Sequence, residues 1–320
     1  EPKNDTDPAT CGWKLIAKVD THTKFKDDGG QYGVSIANPG ASLGKYRYLL
    51  FVIAKSTPDN DDGNTFFSEI CVIKGGDKEL LGNPQADESR PGVKLVSIEN
   101  GKYTATIDTT ECPDLTEWAE GDVAKMVVEW YPKLVAMLPS DGFEAPTHFS
   151  ITFRKDKQGV ADTGGTRINC AEGFFKNEMQ GQGKGAILHE MVHVVQQYGW
   201  ARTRNNHPNR NPGYFVEGLC DCIRWYQFEP QSNGARITKR GLAKANFDGS
   251  YRITANFLHY VEQKYDKKLI PEINAIMRNG NYTEQFFKDK TGKSLQDLNT
   301  EWKADLAQQL GVPAPAATGN

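Results

Sequence analysis

Two histidines four residues apart, His189 and His193, sit in an otherwise apolar run, Ala186-Ile187-Leu188-His189-Glu190-Met191-Val192-His193-Val194-Val195. Residues four apart stack on one face of a helix, so both imidazoles can reach a single metal ion. Glu190 projects beside that point. Ionisable groups inside so apolar a helix need partners, and a metal supplies one. Zinc held by two histidines and a third protein ligand, with one open position, is the site this spacing commonly builds. A buried helix with two hydrogen-bonded core histidines is the plainer reading. The surrounding chain favours the metal. Glycines punctuate the lead-in Gly181-Gln182-Gly183-Lys184-Gly185, and Gly199 is placed to end the helix.

Position 199 is Gly, so the extended pattern with a third histidine six residues after His193 is absent. The third ligand is sought in Tyr214-Phe215-Val216-Glu217-Gly218-Leu219-Cys220-Asp221-Cys222-Ile223-Arg224-Trp225. Glu217 and Asp221 share a helix face. Glu217 can ligate zinc, and Asp221 can accept a hydrogen bond from the far nitrogen of a ligand histidine. Two rivals stay open: Asp221 as ligand itself, and His207 in the polar loop Arg204–Asn209. Cys220 and Cys222, two apart on a helix, diverge too far to pair, and their spacing misses the usual zinc pairs.

The 320-residue chain carries a net charge of −3 and no basic tract, which gives no support to a nucleic-acid partner. No apolar run reaches the roughly 20 residues of a membrane span. Six cysteines are too few for a disulfide scaffold, although Cys11 and Cys71 could bridge. The expected location is secreted, periplasmic or at the cell surface.

Residues 1–10 read as a disordered leader and 11–75 as a small all-β sandwich of jelly-roll type. Its strands include 13–19, 46–54 and 66–73, between turn clusters. The acidic turn Asp59–Asn64 lacks the full spacing of a calcium loop and is read as a solvated turn. Residues 76–99, rich in Gly, Pro and charge, read as a linker with room for one short strand. An α+β domain follows over 100–311, with 312–320 as a disordered tail. Within it, 103–108, 148–153 and 166–170 read as strands. Asp114 and Glu117 form a capping-box pattern ahead of a helix carrying Trp118, Val123, Met126, Val127, Trp130 and Tyr131. The strand 166–170 precedes the metal helix and could serve as an edge along which a polypeptide lies.

From about 100 to 310 the chain resembles the basic secretory protein family of zinc peptidases. The likeness is carried by Ala119–Pro139 with Trp130-Tyr131-Pro132, by Thr152-Phe153-Arg154-Lys155, by His189–Gln196, by Val216–Asp221, by Tyr251–Leu258 and by Phe286–Ser294. The resemblance implies a zincin-like fold, Zn2+ as cofactor, ligands His189, His193 and Glu217, and Glu190 as base. Cys220 departs from it, since that position is more often small. The acidic balance departs from the family's name. The first 75 or so residues lie outside the likeness and are weakly similar to galactose-binding domains through Gly63–Ile70, which implies a glycan ligand.

The chemistry expected is peptide-bond hydrolysis on a protein or glycoprotein substrate, with Glu190 moving the proton. Tyr251, at the start of a predicted helix, is the first candidate for the oxyanion donor, and Tyr214 the second. The alternative is a glycan- or surface-binding protein whose metal domain is catalytically silent.

Overall fold

The structure is a computed structural model that describes residues 14–18, 49, 51, 91–199 and 211–313. The chain divides into two compact units, Glu1–Pro84 and Gln85–Asn320. Most of the expected sandwich, with its acidic turn and Cys11 and Cys71, lies outside the described residues. Residues 14–18, expected in a strand, are exposed and belong to neither helix nor strand.

The second unit is built on a five-stranded mixed sheet with strand order β1-β2-β3-β5-β4. The strands are β1 Val93–Ile98, β2 Tyr103–Asp108, β3 His148–Arg154, β4 Ala161–Gly164 and β5 Arg167–Ala171. β2 and β3 alternate strictly. Tyr103, Ala105 and Ile107 with Phe149, Ile151 and Phe153 are buried on one face. Period-two burial of this kind is what a sheet covered on one side by helices demands. β2, β3 and β5 run parallel, while β1 and β4 are antiparallel to their neighbours.

Two expectations change here. β1 lies within the stretch 76–99 read as linker, so the sheet begins before residue 100. The strand near 166–170 is interior, because β5 pairs with both β3 and β4. The edge is β4, whose Ala-Asp-Thr-Gly sequence is too short and polar to announce a strand.

Helix α1 (Ala124–Met137) connects β2 to β3 and is preceded by a helical turn, Thr116–Trp118, and a π turn, Ala119–Val123. No side chain caps this run. The expected capping box is not formed, because Asp114 instead meets Lys176 at 2.8 Å. After β5 come α2 (Glu172–Glu178), α3 (Gly183–Gln196), α4 (Gly213–Ile223), α5 (Lys239–Leu242), α6 (Tyr251–Lys264), α7 (Leu269–Arg278), α8 (Gln285–Thr291) and α9 (Leu295–Leu310). α3 is buried along almost its whole length. It ends at Gln196, with Gln197 in the left-handed region at φ 44°, so Gln197 takes the position expected of Gly199.

Two contacts fix α3 and α4 in place. The fully buried Arg278 donates to the last carbonyls of α3, Val195 O at 2.8 Å and Gln196 O at 2.9 Å, and to Leu138 O after α1 at 3.0 Å. A cation at helix C-termini complements both the orphan carbonyls and the helix dipole. α4 packs on α6 through Gly218, where a Cβ would collide with the side chain of Thr254. Among the described residues, no helix is long and apolar enough to cross a membrane.

Candidate active site

His189, Glu190 and His193 come from α3, and Glu217, Cys220 and Asp221 from α4. Tyr251 opens α6. With β4, all of these except Cys220 line a cleft of about 990 Å³.

The hydrogen bonds around the two imidazoles fix their tautomers. Gln196 Nε2 donates to Val216 O at 3.1 Å, which sets the amide orientation. Gln196 Oε1 therefore faces His193 Nδ1 at 2.8 Å as an acceptor, so Nδ1 carries the proton. Asp221 Oδ1 accepts from His189 Nδ1 at 2.7 Å in a buried pair. Both Nε2 atoms are thus free of the proton when the rings are neutral.

Those two Nε2 atoms converge on one oxygen. Glu217 Oε2 lies 3.1 Å from His189 Nε2 and 3.3 Å from His193 Nε2. Two lone pairs facing a carboxylate repel unless a cation stands among them, either protons on the rings or a metal. Two ligands about 2.05 Å from a tetrahedral zinc stand about 3.3 Å apart. The observed separations fit that spacing.

Without a metal, the electrostatics show the same demand for positive charge. Burial alone would lower the His189 pKa, but the hydrogen bonds to Asp221 and Glu217 prevail and push it up to about 9. Burial alone would raise the Glu217 pKa, but hydrogen bonds from His189 and His193 hold it down to about 2.

Cys220 enters the same neighbourhood. One ligand atom from each of His189, His193 and Cys220 lies within 4.8 Å of the others, a group that could hold a metal ion. Its Sγ is 3.4 Å from Nδ1 and 3.7 Å from Nε2 of His193, beside the ring rather than ahead of Nε2. The thiol donates to Val216 O at 3.3 Å, and burial pushes its pKa up to about 11. Cys112, Cys170, Cys220 and Cys222 all carry free, buried thiols.

Glu190 is 9% exposed, and its Oε2 accepts from Thr163 Oγ1 on β4 at 2.7 Å. The carboxylate next to the two histidines is thereby tied to the edge strand. Tyr251 is 53% exposed at the mouth of the cleft. Its ring stacks on His189 at a centroid distance of 5.9 Å and an interplanar angle of 20°. Tyr214 does not line the cleft but packs against Phe215 and Phe247, which removes the second oxyanion candidate. His207 lies outside the described residues.

Sequence reasoning missed Gln196 and Thr163. Gln196 had a signal, since it stands three residues beyond His193 on the same helix and can reach back to it. Thr163 had none, because only the sheet brings β4 over α3.

No curated protein and no solved structure matches this chain significantly. Residues 132–302 match the family described as "Peptidase of plants and bacteria". That span is more than half of the chain and holds every site residue named above, from Thr163 to Tyr251. The chain belongs to the basic secretory protein family, a peptidase family of plants and bacteria.

Proposed function

We propose that the protein is a zinc-dependent peptidase, with His189, His193 and Glu217 as the metal ligands and Glu190 as the general base. The observation that carries this reading is the convergence of the two Nε2 atoms on one carboxylate oxygen at 3.1 and 3.3 Å. Glu217 is preferred over Cys220 because its oxygen stands ahead of both Nε2 atoms, whereas the thiol lies beside one ring and already donates to a carbonyl. Asp221 is preferred as an orienting group, since its contact is with Nδ1.

When bound, zinc supplies a Lewis acid that lowers the pKa of a water and polarises a carbonyl. Asp221 and Gln196 hold the imidazoles in the tautomer that binds a cation. Glu190 takes the proton from the attacking water and delivers it to the leaving amine. Thr163 fixes the carboxylate that does so. Tyr251 offers its phenol to the oxygen of the scissile carbonyl. A polypeptide substrate laid beside β4 would gain backbone hydrogen bonds from the edge strand. The secretory family and the polypeptide substrate together support action outside the cytosol.

A broad peptide library digested by the full chain tests the reading. Cleavage should stop on chelation and return with added zinc. Cleavage indifferent to chelation would remove the metal from the mechanism. No cleavage of any peptide would remove the peptidase.

A further inference from the structure

We propose that Arg252 receives a carboxylate of the polypeptide substrate, so that the cleft selects acidic peptides. This rests on the peptidase reading and names its substrate class. Arg252 follows Tyr251 at the start of α6 and lines the same cleft. Among the described residues, the other guanidinium of the cleft belongs to Arg224, whose Nε bonds Glu229 Oε1 at 2.6 Å. Arg224 is neutralised by that pair. Arg252 has no such partner: among the described residues no carboxylate lies within ion-pair distance of it. Its Nη2 donates to the neutral Gln182 Oε1 at 2.9 Å.

The guanidinium is nevertheless held in place. It lies 4.6 Å from the centre of the Trp225 ring, while that of Arg224 lies 4.0 Å from the same ring. Gly185 leaves room for this assembly, because a Cβ there would collide with Arg224 and Glu229. Stacking and one hydrogen bond leave the remaining N–H groups of Arg252 available and reduce the ordering cost of a new partner. A planar carboxylate is the group that such a fork binds best.

Apart from the proposed metal position, the ionisable side chains of the described lining are mainly acidic. Glu190, Glu217, Asp221 and Asp162 line the cleft, with Asp162 paired to Lys157. Away from the metal, an acidic substrate group is therefore accepted at the Arg252 end and disfavoured beside these carboxylates. The carboxylate could come from an Asp or Glu side chain or from the free C-terminus of a peptide.

The test uses the full-length zinc-loaded chain carrying Glu190→Gln, so that binding is read without turnover. Matched randomised octapeptide libraries carry Glu or Gln at one fixed position, each made with a free or an amidated C-terminus. Binding should favour the carboxylate form by roughly ten- to a hundredfold, the worth of a charge-assisted pair. The ratio should fall to about one with Arg252→Gln and be partly restored by Arg252→Lys, melting temperature being checked in each. A ratio tracking the fixed Glu identifies the side chain as the source, and one tracking the free terminus identifies the C-terminal carboxylate. Equal binding of all forms, or a ratio unchanged by Arg252→Gln, overturns the proposal. If the wild-type chain cleaves the libraries without any such preference, only the Arg252 assignment falls. If it cleaves no library and the Glu190→Gln chain binds none, the peptidase reading falls too.

Discussion

Glu190→Gln separates base from scaffold at one hydrogen bond. In the wild type, Glu190 Oε2 accepts from Thr163 Oγ1 at 2.7 Å. The amide oxygen of Gln can accept the same proton in the same volume, so packing and the tie to β4 survive. The melting temperature should move by no more than a typical point substitution, about 1 kcal/mol of stability. Metal content should hold, because the three converging ligand atoms belong to other residues. Activity should fall by about two to four orders of magnitude, the usual worth of a general base, or about 2.7–5.4 kcal/mol of barrier. Thr163→Val is the complementary perturbation: it keeps the base and removes the hydrogen bond that aims it. A charge-assisted hydrogen bond contributes about 1.5–3 kcal/mol, which bounds the loss in kcat/KM at roughly ten- to a hundredfold. The assay is kcat/KM on one library-derived peptide, with elemental analysis and calorimetry on the same samples. Wild-type cleavage by Glu190→Gln would refute the base assignment. Loss of zinc from it would make Glu190 part of the ligand set.

Three further outcomes follow from the geometry. Glu217→Ala should lose zinc on dialysis while Cys220→Ala keeps it, and Asp221→Asn should weaken affinity about 10- to 100-fold in chelator competition; zinc loss confined to Cys220→Ala would move the third ligand to the thiol. In the metal-free chain, His189 is raised from 6.5 to about 9, so its contribution to stability is complete below pH 6.5 and fades as pH rises through about 9. Glu217 is lowered from 4.5 to about 2, so its contribution is complete above pH 4.5 and fades as pH falls through about 2. The melting temperature measured in chelator should therefore decline on both sides of pH 4.5–6.5, and Glu217→Ala should flatten both limbs; unchanged limbs would remove the cluster as their cause. Finally, a chain beginning at Gly101 loses β1, with Val93, Val96 and Ile98 buried in it. At about 1.5–3 kcal/mol per side chain the loss is about 5–9 kcal/mol, comparable to a whole domain's stability. That chain should fail to fold cooperatively while one beginning at Gln85 melts normally, and equal denaturant midpoints for the two would refute the estimate.

The parts of the fold that were readable from sequence are those where burial repeats. β2 and β3 alternate and so declare their period, while α3 is marked by two histidines four apart in an apolar run. Where a residue's partner comes from elsewhere in the chain, the local pattern misleads. Asp114 looks like a helix cap but is taken by Lys176. Gly199 looks like a helix stop, yet Gln197 adopts the left-handed conformation first. Gln197 is secured there by its side-chain amide, which donates to Val194 O and Gly165 O. β1 is masked by the Gly-, Pro- and charge-rich residues before it, although its own apolar Val-Lys-Leu-Val-Ser-Ile pairs antiparallel with β2. β4 is invisible for a different reason: four small or polar residues become a strand only because β5 is already in place to pair with them.

At the site the division is the same, and it explains why the histidine spacing alone underdetermines the chemistry. Spacing puts His189 and His193 on one face, but it does not say which nitrogen each ring presents. That choice is made by acceptors of different kinds. His189 is turned by a buried carboxylate from α4, and His193 by the amide of Gln196 on its own helix. Gln196 is in turn held by Val216 O on α4, so both rings depend on the same helix pair. The approach of that pair is fixed by the Gly218–Thr254 contact on one side and by Arg278 at the end of α3 on the other. A charged acceptor makes a ring more basic than a neutral one does, so the two imidazoles are unequal before any metal arrives. With both Nδ1 protons donated outward, the Nε2 atoms left inside face Glu217, at 3.1 and 3.3 Å. Among the described residues, the two imidazoles and Glu217 thus converge in an arrangement that favours positive charge, with Glu190 beside it on the tether of Thr163.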